Sequence, residues 1–312
     1  MKIAFLADPL SSFKIYKDTT FAMMTEAHKR GHSVYAFEQK DMAIHSGVVT
    51  ANVARIVLTG DAHDWFRAEP VQAMGLQEFD AVILRKDPPF DMEYIYVTYL
   101  LELAEAQGAR VFNKPAAVRS HNEKLTITQF PQFITPTLVT SSDDRLRAFH
   151  REHKVIILKP LDGMGGTGVF KVNEDGMNLG SIIETLTDNG ARTIMAQRYI
   201  PEIVAGDKRI LVIGGAVVPH CLARIPQGDE IRGNLAAGGN GVARPLSARD
   251  VEISSTLAPI LAQRGLFLVG LDVIGDCLTE VNVTSPTCFQ EITQQTGFNV
   301  AGMFIDAIEN SH

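Results

Sequence analysis

The sequence predicts a mixed architecture, α/β at the start and α+β beyond it. Three observations lead there. Strand-like and helix-like segments alternate through residues 1–120, the pattern of a sheet with helices on its faces. A glycine-rich loop lies between two short apolar runs within residues 156–172. Two further apolar runs, within residues 266–283, each carry an isolated acid.

Residues 2–7 read as the first strand. Residues 19–30 read as its helix, with Asp18 as the cap and Gly31 as the stop, and residues 33–37 as the next strand. Residues 81–84, Ala-Val-Ile-Leu, form a buried strand that runs into Arg85-Lys86-Asp87-Pro88-Pro89-Phe90-Asp91. Two prolines exclude regular structure there, and ligands of open α/β sheets bind at such carboxyl ends. Arg85, abutting the strand, is therefore a candidate binding residue; the plainer alternative is a solvated, proline-stiffened loop. The expected sheet of this part is mostly parallel.

From 121 to 205 a smaller α+β unit is expected, with a helix over 179–187 and a strand over 193–197. Residues 206–312 return to strands and helices, interrupted at 225–241 by a stretch holding five glycines. Loops of that length are lids or disordered segments. A lid is the reading adopted, with Arg232 carrying charge onto a bound substrate.

With 312 residues, 46% of them hydrophobic and 21% charged, the chain can bury a substantial core. Net charge is −7 and no Lys/Arg block occurs, which argues against nucleic acid as a partner. An anionic ligand must then be met by local cations. No stretch approaches membrane-spanning length, and the apolar run before Asp8 is too short for a signal peptide. Cys221, Cys277 and Cys288 are odd in number and lack CxxC spacing, so a reduced compartment is expected. A cytoplasmic enzyme follows.

Lys159-Pro-Leu-Asp-Gly163-Met-Gly165-Gly166-Thr-Gly168 follows an apolar run. Glycines let backbone N–H groups close on an anion, and a lysine leaving the strand adds a point charge. The loop satisfies G-x-G-x-x-G, yet Val169-Phe170-Lys171-Val172 follows instead of a helix, which excludes the dinucleotide reading. No Gly-Lys-Ser/Thr closes it as in a P-loop, and the chain lacks the His-Arg-Asp and Asp-Phe-Gly triplets of a protein kinase. A nucleotide-gripping hairpin remains, against a flexible surface hairpin as the bland alternative.

Asp272 interrupts an apolar run, and Glu280 and Asn282 lie two apart on the next, hence on one strand face. An unpaired buried acid costs several kcal/mol, so a partner is required. Three oxygen donors select a hard cation such as Mg²⁺, with Mn²⁺ as an alternative; an arginine paired with each acid is the competing arrangement. A two-residue loop would set Asp272 opposite Thr279 and put Glu280 on the reverse face. A three-residue loop, Gly275-Asp276-Cys277, sets Asp272 opposite Glu280 and is the expected connection.

Together the strings at 159–166, 85–91, 224–228 (Arg-Ile-Pro-Gln-Gly), 232–239 (Arg-Gly-Asn-Leu-Ala-Ala-Gly-Gly) and 280–287 (Glu-Val-Asn-Val-Thr-Ser-Pro-Thr) resemble the ATP-grasp ligases, and within them the bacterial glutathione synthetases. The resemblance spans nearly the whole chain. It implies an ATP-grasp fold with an N-terminal substrate domain (1–120), a small subdomain with the glycine hairpin (121–205) and a C-terminal subdomain with lid and metal site (206–312). It further implies that Lys124, Lys159, Gly165 and Gly166 contact the nucleotide, that Gln197, Tyr199 and Ile200 line an adenine pocket, and that Asp207 takes the ribose. Arg209, Arg224 and Arg232 would serve catalysis, Arg85, Ser285 and Thr287 would hold substrate, and Asp272, Glu280 and Asn282 would hold the metal. Asn240 stands where some relatives carry a basic residue, so no charge contact is assigned to it.

The implied reaction joins γ-glutamylcysteine to glycine with ATP, through an acyl phosphate, in a homo-oligomer expected to be a tetramer. Competing readings are another carboxylate-amine ligase, such as a D-alanine:D-alanine ligase, and a nucleotide-binding scaffold without turnover. Arg85 discriminates against a small dipeptide ligase, because a γ-glutamyl substrate carries distal charges that need fixed partners.

Overall fold

A computed structural model describes residues 1–311 apart from Asp229, Ala236 and Ala237. The expected lid at 225–241 therefore lies partly outside the described residues.

The first sheet is built from β1 (Lys2–Ala7), β2 (Ser33–Phe37), β3 (Met42–His45), β4 (Val48–Leu58), β5 (Phe66–Ala68), β6 (Gln72–Gly75), β7 (Ala81–Arg85) and β8 (Val111–Phe112). Helix α1 (Thr19–Lys29) connects β1 to β2, α2 (Met92–Ala106) connects β7 to β8, and α3 (Pro115–Ser120) follows. Asp18 Oδ1 accepts from the amide of Phe21 at 2.7 Å, satisfying one of the orphan donors at the helix start. The sheet is less parallel than the sequence led one to expect. Only β2-β1-β7-β8 run parallel, whereas β4 pairs antiparallel with β2, β3, β5 and β6. The cause is local: the two residues Ser46-Gly47 join β3 to β4, with His45 opposite Val48, and so short a link joins only antiparallel neighbours.

The second sheet has the order β11-β10-β12-β9, from β9 (Thr137–Thr140), β10 (Ile156–Pro160), β11 (Phe170–Val172) and β12 (Ile194–Arg198), with α4 (Asp143–His153) and α5 (Leu179–Thr187) on one face. β10 and β11 flank the glycine loop and pair antiparallel, Ile156 opposite Val172. This unit has its own small core, including Leu146, Ile156, Leu158, Ile183 and Ile194.

The third sheet, order β15-β14-β13-β16-β17, is antiparallel throughout. It comprises β13 (Asp207–Ile213), β14 (Ala216–Ile225), β15 (Asn240–Pro245), β16 (Leu268–Ile274) and β17 (Cys277–Asn282), with α6 (Ala248–Gln263), α7 (Phe289–Thr296) and α8 (Val300–Glu309). Its side chains share cores with the first sheet: Phe5, Met23 and Ile83 belong with Leu211, Phe289 and Phe304. Arg30 reinforces this junction from the end of α1, reaching Asp306 at 2.5 Å, Glu309 at 3.0 Å and the carbonyl of Gly302 at 3.0 Å.

Candidate active site

A cleft of about 310 Å³ lies between the second and third sheets and is bordered by the Asp87-Pro88 turn that follows β7. Its volume is that of a small-molecule site. Among the described residues Lys124, Lys159, Arg198, Arg209, Arg224 and Arg232 line it with Asp87, Glu123, Asp207, Asp272 and Glu280, six cations against five carboxylates. In a chain of net charge −7, that local excess is where an anion can be received.

Strand register gathers the acids. Asp272 stands opposite Glu280 and Gly270 opposite Asn282, so the three oxygen-bearing side chains share one face, as anticipated. The connection does not match the expected three-residue loop. Ile274 pairs with Cys277, leaving the two-residue turn Gly275-Asp276, and the register shifts between Asp272 and Val273. Thr279 is the extra residue of a β-bulge, which corrects what the short turn would otherwise set out of phase. The bulge is used twice: the Thr279 carbonyl lies 3.4 Å from Lys159 Nζ, and its hydroxyl donates to the Asp272 carbonyl at 3.1 Å.

Asp272 is held by two guanidinium groups. Its Oδ1 accepts from Arg209 Nε at 2.5 Å, and its Oδ2 from Arg209 Nη2 and Arg224 Nη2, each at 2.9 Å. Arg224 also meets Asp207 Oδ2 at 2.5 Å. Glu280 lies 3.7 Å from Lys124 and 3.6 Å from Lys159. Cations thus pair with both acids, close to the competing arrangement, although lysines and not arginines face Glu280. Burial opposes ionisation of Asp272, but Arg209 and Arg224 hold its carboxyl well below the usual range. Burial likewise opposes charge on Glu280, yet Lys124 and Lys159 keep it low. At Asp207 burial prevails over Arg224 and pushes the carboxyl up, and Lys159 is pulled down by burial against the attraction of Glu280.

The glycine loop faces these groups across the cleft. Gly165 and Gly166 have φ of +60° and +84°, a backbone that suits glycine. A Cβ on Gly166 would stand 2.8 Å from both Arg232 Cδ and Asn234 Oδ1. Arg232 donates to the Gly166 carbonyl at 3.2 Å and is braced by Glu230 at 2.5 Å, so the 225–241 segment touches the hairpin. Farther along, Ile157, Tyr199, Ile200, Ile203 and Ile274 supply apolar surface. Gln197 is buried there and donates to Thr137 Oγ1 at 3.1 Å, and Lys171 lies 4.1 Å over the Tyr199 ring.

Ser285 and Thr287 line the cleft, but Arg85 stands behind its wall. Arg85 donates to Thr20 Oγ1 at 3.0 Å and lies 3.5 Å from the Ser285 carbonyl, while its buried Nη1 has no hydrogen-bond partner among the described residues. Sequence reasoning passed over Asp87, which accepts from Ser285 Oγ at 2.5 Å. It also passed over Thr279 and Glu123. Asp87 lay inside the singled-out 85–91 string and was readable there; the bulge leaves no mark in side-chain alternation.

A glycine hairpin facing an acid-bearing antiparallel sheet across a cationic cleft defines an ATP-grasp ligase. Solved structures agree on the fold. The Chryseobacterium gregarium RiPP-associated ATP-grasp ligase superposes with TM-score 0.68 at 16% identity, covering 100% of this chain and 98% of that one. The D-cycloserine synthetase DcsG gives 0.67 at 15%, covering 98% of each. Within that class the chain belongs to the prokaryotic glutathione synthetases: the family's N-terminal domain matches residues 1–119 and its ATP-grasp domain residues 123–297. Glutathione synthetases of Ralstonia nicotianae and Neisseria meningitidis serogroup B are 64% and 58% identical, covering 100% and 99% of this chain and 96% and 98% of theirs. The chain is an ATP-dependent ligase. Among the described residues no helix is long and apolar enough to cross a membrane.

Proposed function

We propose that the cleft binds ATP with Mg²⁺ and γ-glutamylcysteine, and that glycine completes the reaction there. Four cations, Lys124, Lys159, Arg209 and Arg224, are each at most 6% exposed and aimed at one cleft. That observation carries the reading, since the four cations are met by only three carboxylates, Asp207, Asp272 and Glu280, and the surplus positive charge calls for a bound anion.

ATP phosphorylates the cysteinyl carboxylate of γ-glutamylcysteine with ADP as the leaving group, and the glycine amine attacks the resulting acyl phosphate, releasing phosphate and forming the amide. No protein nucleophile is required. The protein's task is electrostatic: Lys124, Lys159, Arg209 and Arg224 offset negative charge as the phosphoryl group moves. Gly165 and Gly166 close backbone on the phosphates, Gln197, Tyr199 and Ile200 receive the base, and Asp207 receives the ribose. Ser285 and Thr287 hold the γ-glutamyl end, and Arg85 supports them from behind the wall, 3.5 Å from the Ser285 carbonyl. Arg232, latched to the hairpin, shields the acyl phosphate from water.

The donor set fits a divalent cation that arrives with the nucleotide. Guanidinium N–H groups occupy three acceptor positions of Asp272 and leave one. Glu280 is held only at 3.6–3.7 Å, and Asn282 commits its nitrogen to the Gly270 carbonyl at 3.2 Å, leaving its oxygen for the cleft. Asp272, Glu280 and Asn282 would hold the ion, which supplies charge neutralisation between phosphates when bound. Exposed Met92, Tyr96 and Tyr99 on α2 support a homo-oligomer, the tetramer of the resemblance, which light scattering measures.

Phosphate release with ATP and Mg²⁺, omitting γ-glutamylcysteine and glycine in turn, tests the reading. Full turnover is expected only with both present. Turnover with glycine and a different carboxylate donor, but none with γ-glutamylcysteine, overturns it.

A further inference from the structure

β17 is the outer strand of the third sheet and carries Glu280 and Asn282, yet its outward edge is not left bare. The amide of Val281, on that edge, donates to the Glu123 main-chain carbonyl at 2.8 Å. The Glu123 side chain then turns along the following residues. Its Oε1 accepts from Val283 N at 2.8 Å, Thr284 N at 3.1 Å and Thr284 Oγ1 at 2.9 Å. Four bonds thus run from one residue to residues 281–284, which flank Asn282 and lead to Ser285.

The neighbours of Glu123 point elsewhere. Asn122 donates to the Leu161 carbonyl at 3.0 Å, at the base of the glycine loop. Lys124 reaches the Gly163 carbonyl at 2.5 Å and Glu280 at 3.7 Å. Three consecutive side chains therefore tie the phosphate-gripping loop to the acid-bearing edge strand. The other tie between the hairpin and β17, from Lys159 Nζ to the Thr279 carbonyl, is a single contact at 3.4 Å.

We propose that Glu123 is a positioning residue: by clamping residues 281–284 it fixes Asn282 and Glu280 relative to the hairpin, and so sets the geometry in which a divalent cation and nucleotide phosphates are held together. This rests on the nucleotide and metal reading above. Groups that orient metal donors change metal affinity by roughly 10–100-fold when removed. The acceptor oxygen is what this role needs, not the negative charge, because all three side-chain bonds converge on Oε1.

The experiment is Mn²⁺ uptake in the presence of ADP, read by electron paramagnetic resonance, on the full chain and three variants, alongside kcat and KM. Glu123→Ala is expected to weaken Mn²⁺ binding by about tenfold, while Glu123→Gln, which keeps an acceptor oxygen, recovers most of it. Thr284→Val removes one bond and is expected to move the same way by a smaller factor; it decides the matter if the alanine variant does not fold. Glu123→Ala with wild-type Mn²⁺ affinity, Glu123→Gln falling as far as Glu123→Ala, or, where that variant does not fold, Thr284→Val matching wild type, overturns the inference alone. A wild-type chain that takes up no Mn²⁺ with ADP overturns the nucleotide and metal reading as well.

Discussion

Asp272 has both oxygens engaged by guanidinium groups at 2% exposure, so its substitution acts chiefly through what it leaves behind. Asp272→Asn strands Arg209 in the interior without a counter-charge and leaves Arg224 only Asp207, and breaking a buried pair in this way costs about 3–5 kcal/mol. Because the carboxyl is held below its usual range in the folded chain, its contribution is present above the unfolded value near 3.9 and lost only as pH falls through the lower folded value. The stability gap between wild type and Asp272→Asn, measured by urea unfolding, is therefore expected to persist at pH 5 and to close only as pH falls below about 4. A gap already closed at pH 5 would contradict the ion-pair assignment. That an acid here needs a partner was legible in the sequence, from one carboxylate in an apolar run. Which partner was not, because Arg209 and Arg224 are brought to it by the antiparallel ladders of β13 with β14 and β16.

Among the elements, β-strand and helix limits near 2–7, 19–29, 33–37 and 179–187 followed from caps, stops and apolar runs. The link between β16 and β17 did not, because alternation fixes which residues share a face but not where an extra one is absorbed. Pairing Asp272 with Glu280 was foreseeable from chemistry; reaching it through a two-residue turn plus a bulge at Thr279 was visible only in the ladder. The hairpin and the 225–241 segment form a second coupled pair. Gly166→Ala introduces a Cβ at positive φ that meets Arg232 and Asn234, so it is expected to displace the latch and raise phosphate release per peptide bond formed. Arg232→Ala is expected to do the same without backbone strain. Coupling ratios equal to wild type in both variants would remove the shielding role assigned to Arg232.

At the scale of the whole molecule, the parallel part of the first sheet was legible from its β-α alternation, and the antiparallel flank was missed because a two-residue link at Ser46-Gly47 was not read as a hairpin. Arg30 sits where the first and third sheets meet, with three carboxylates around it. Arg30→Met is expected to lower stability by about 1–2 kcal/mol, in the range of partly exposed networks rather than isolated surface pairs, with turnover at 25 °C unchanged; thermal unfolding and a steady-state assay check both halves.

The separate core behind β9–β12 has a further consequence. Leu146, Ile156, Leu158, Ile183 and Ile194 pack with one another, while the first and third sheets share theirs, so cooperativity is unevenly distributed along the chain. Amides of residues 137–198 should open to deuterium in a sub-global event well below full denaturation. The half of the cleft that carries the glycine loop would then breathe against a stiff anvil, opening an exit that leaves β16 and β17 intact.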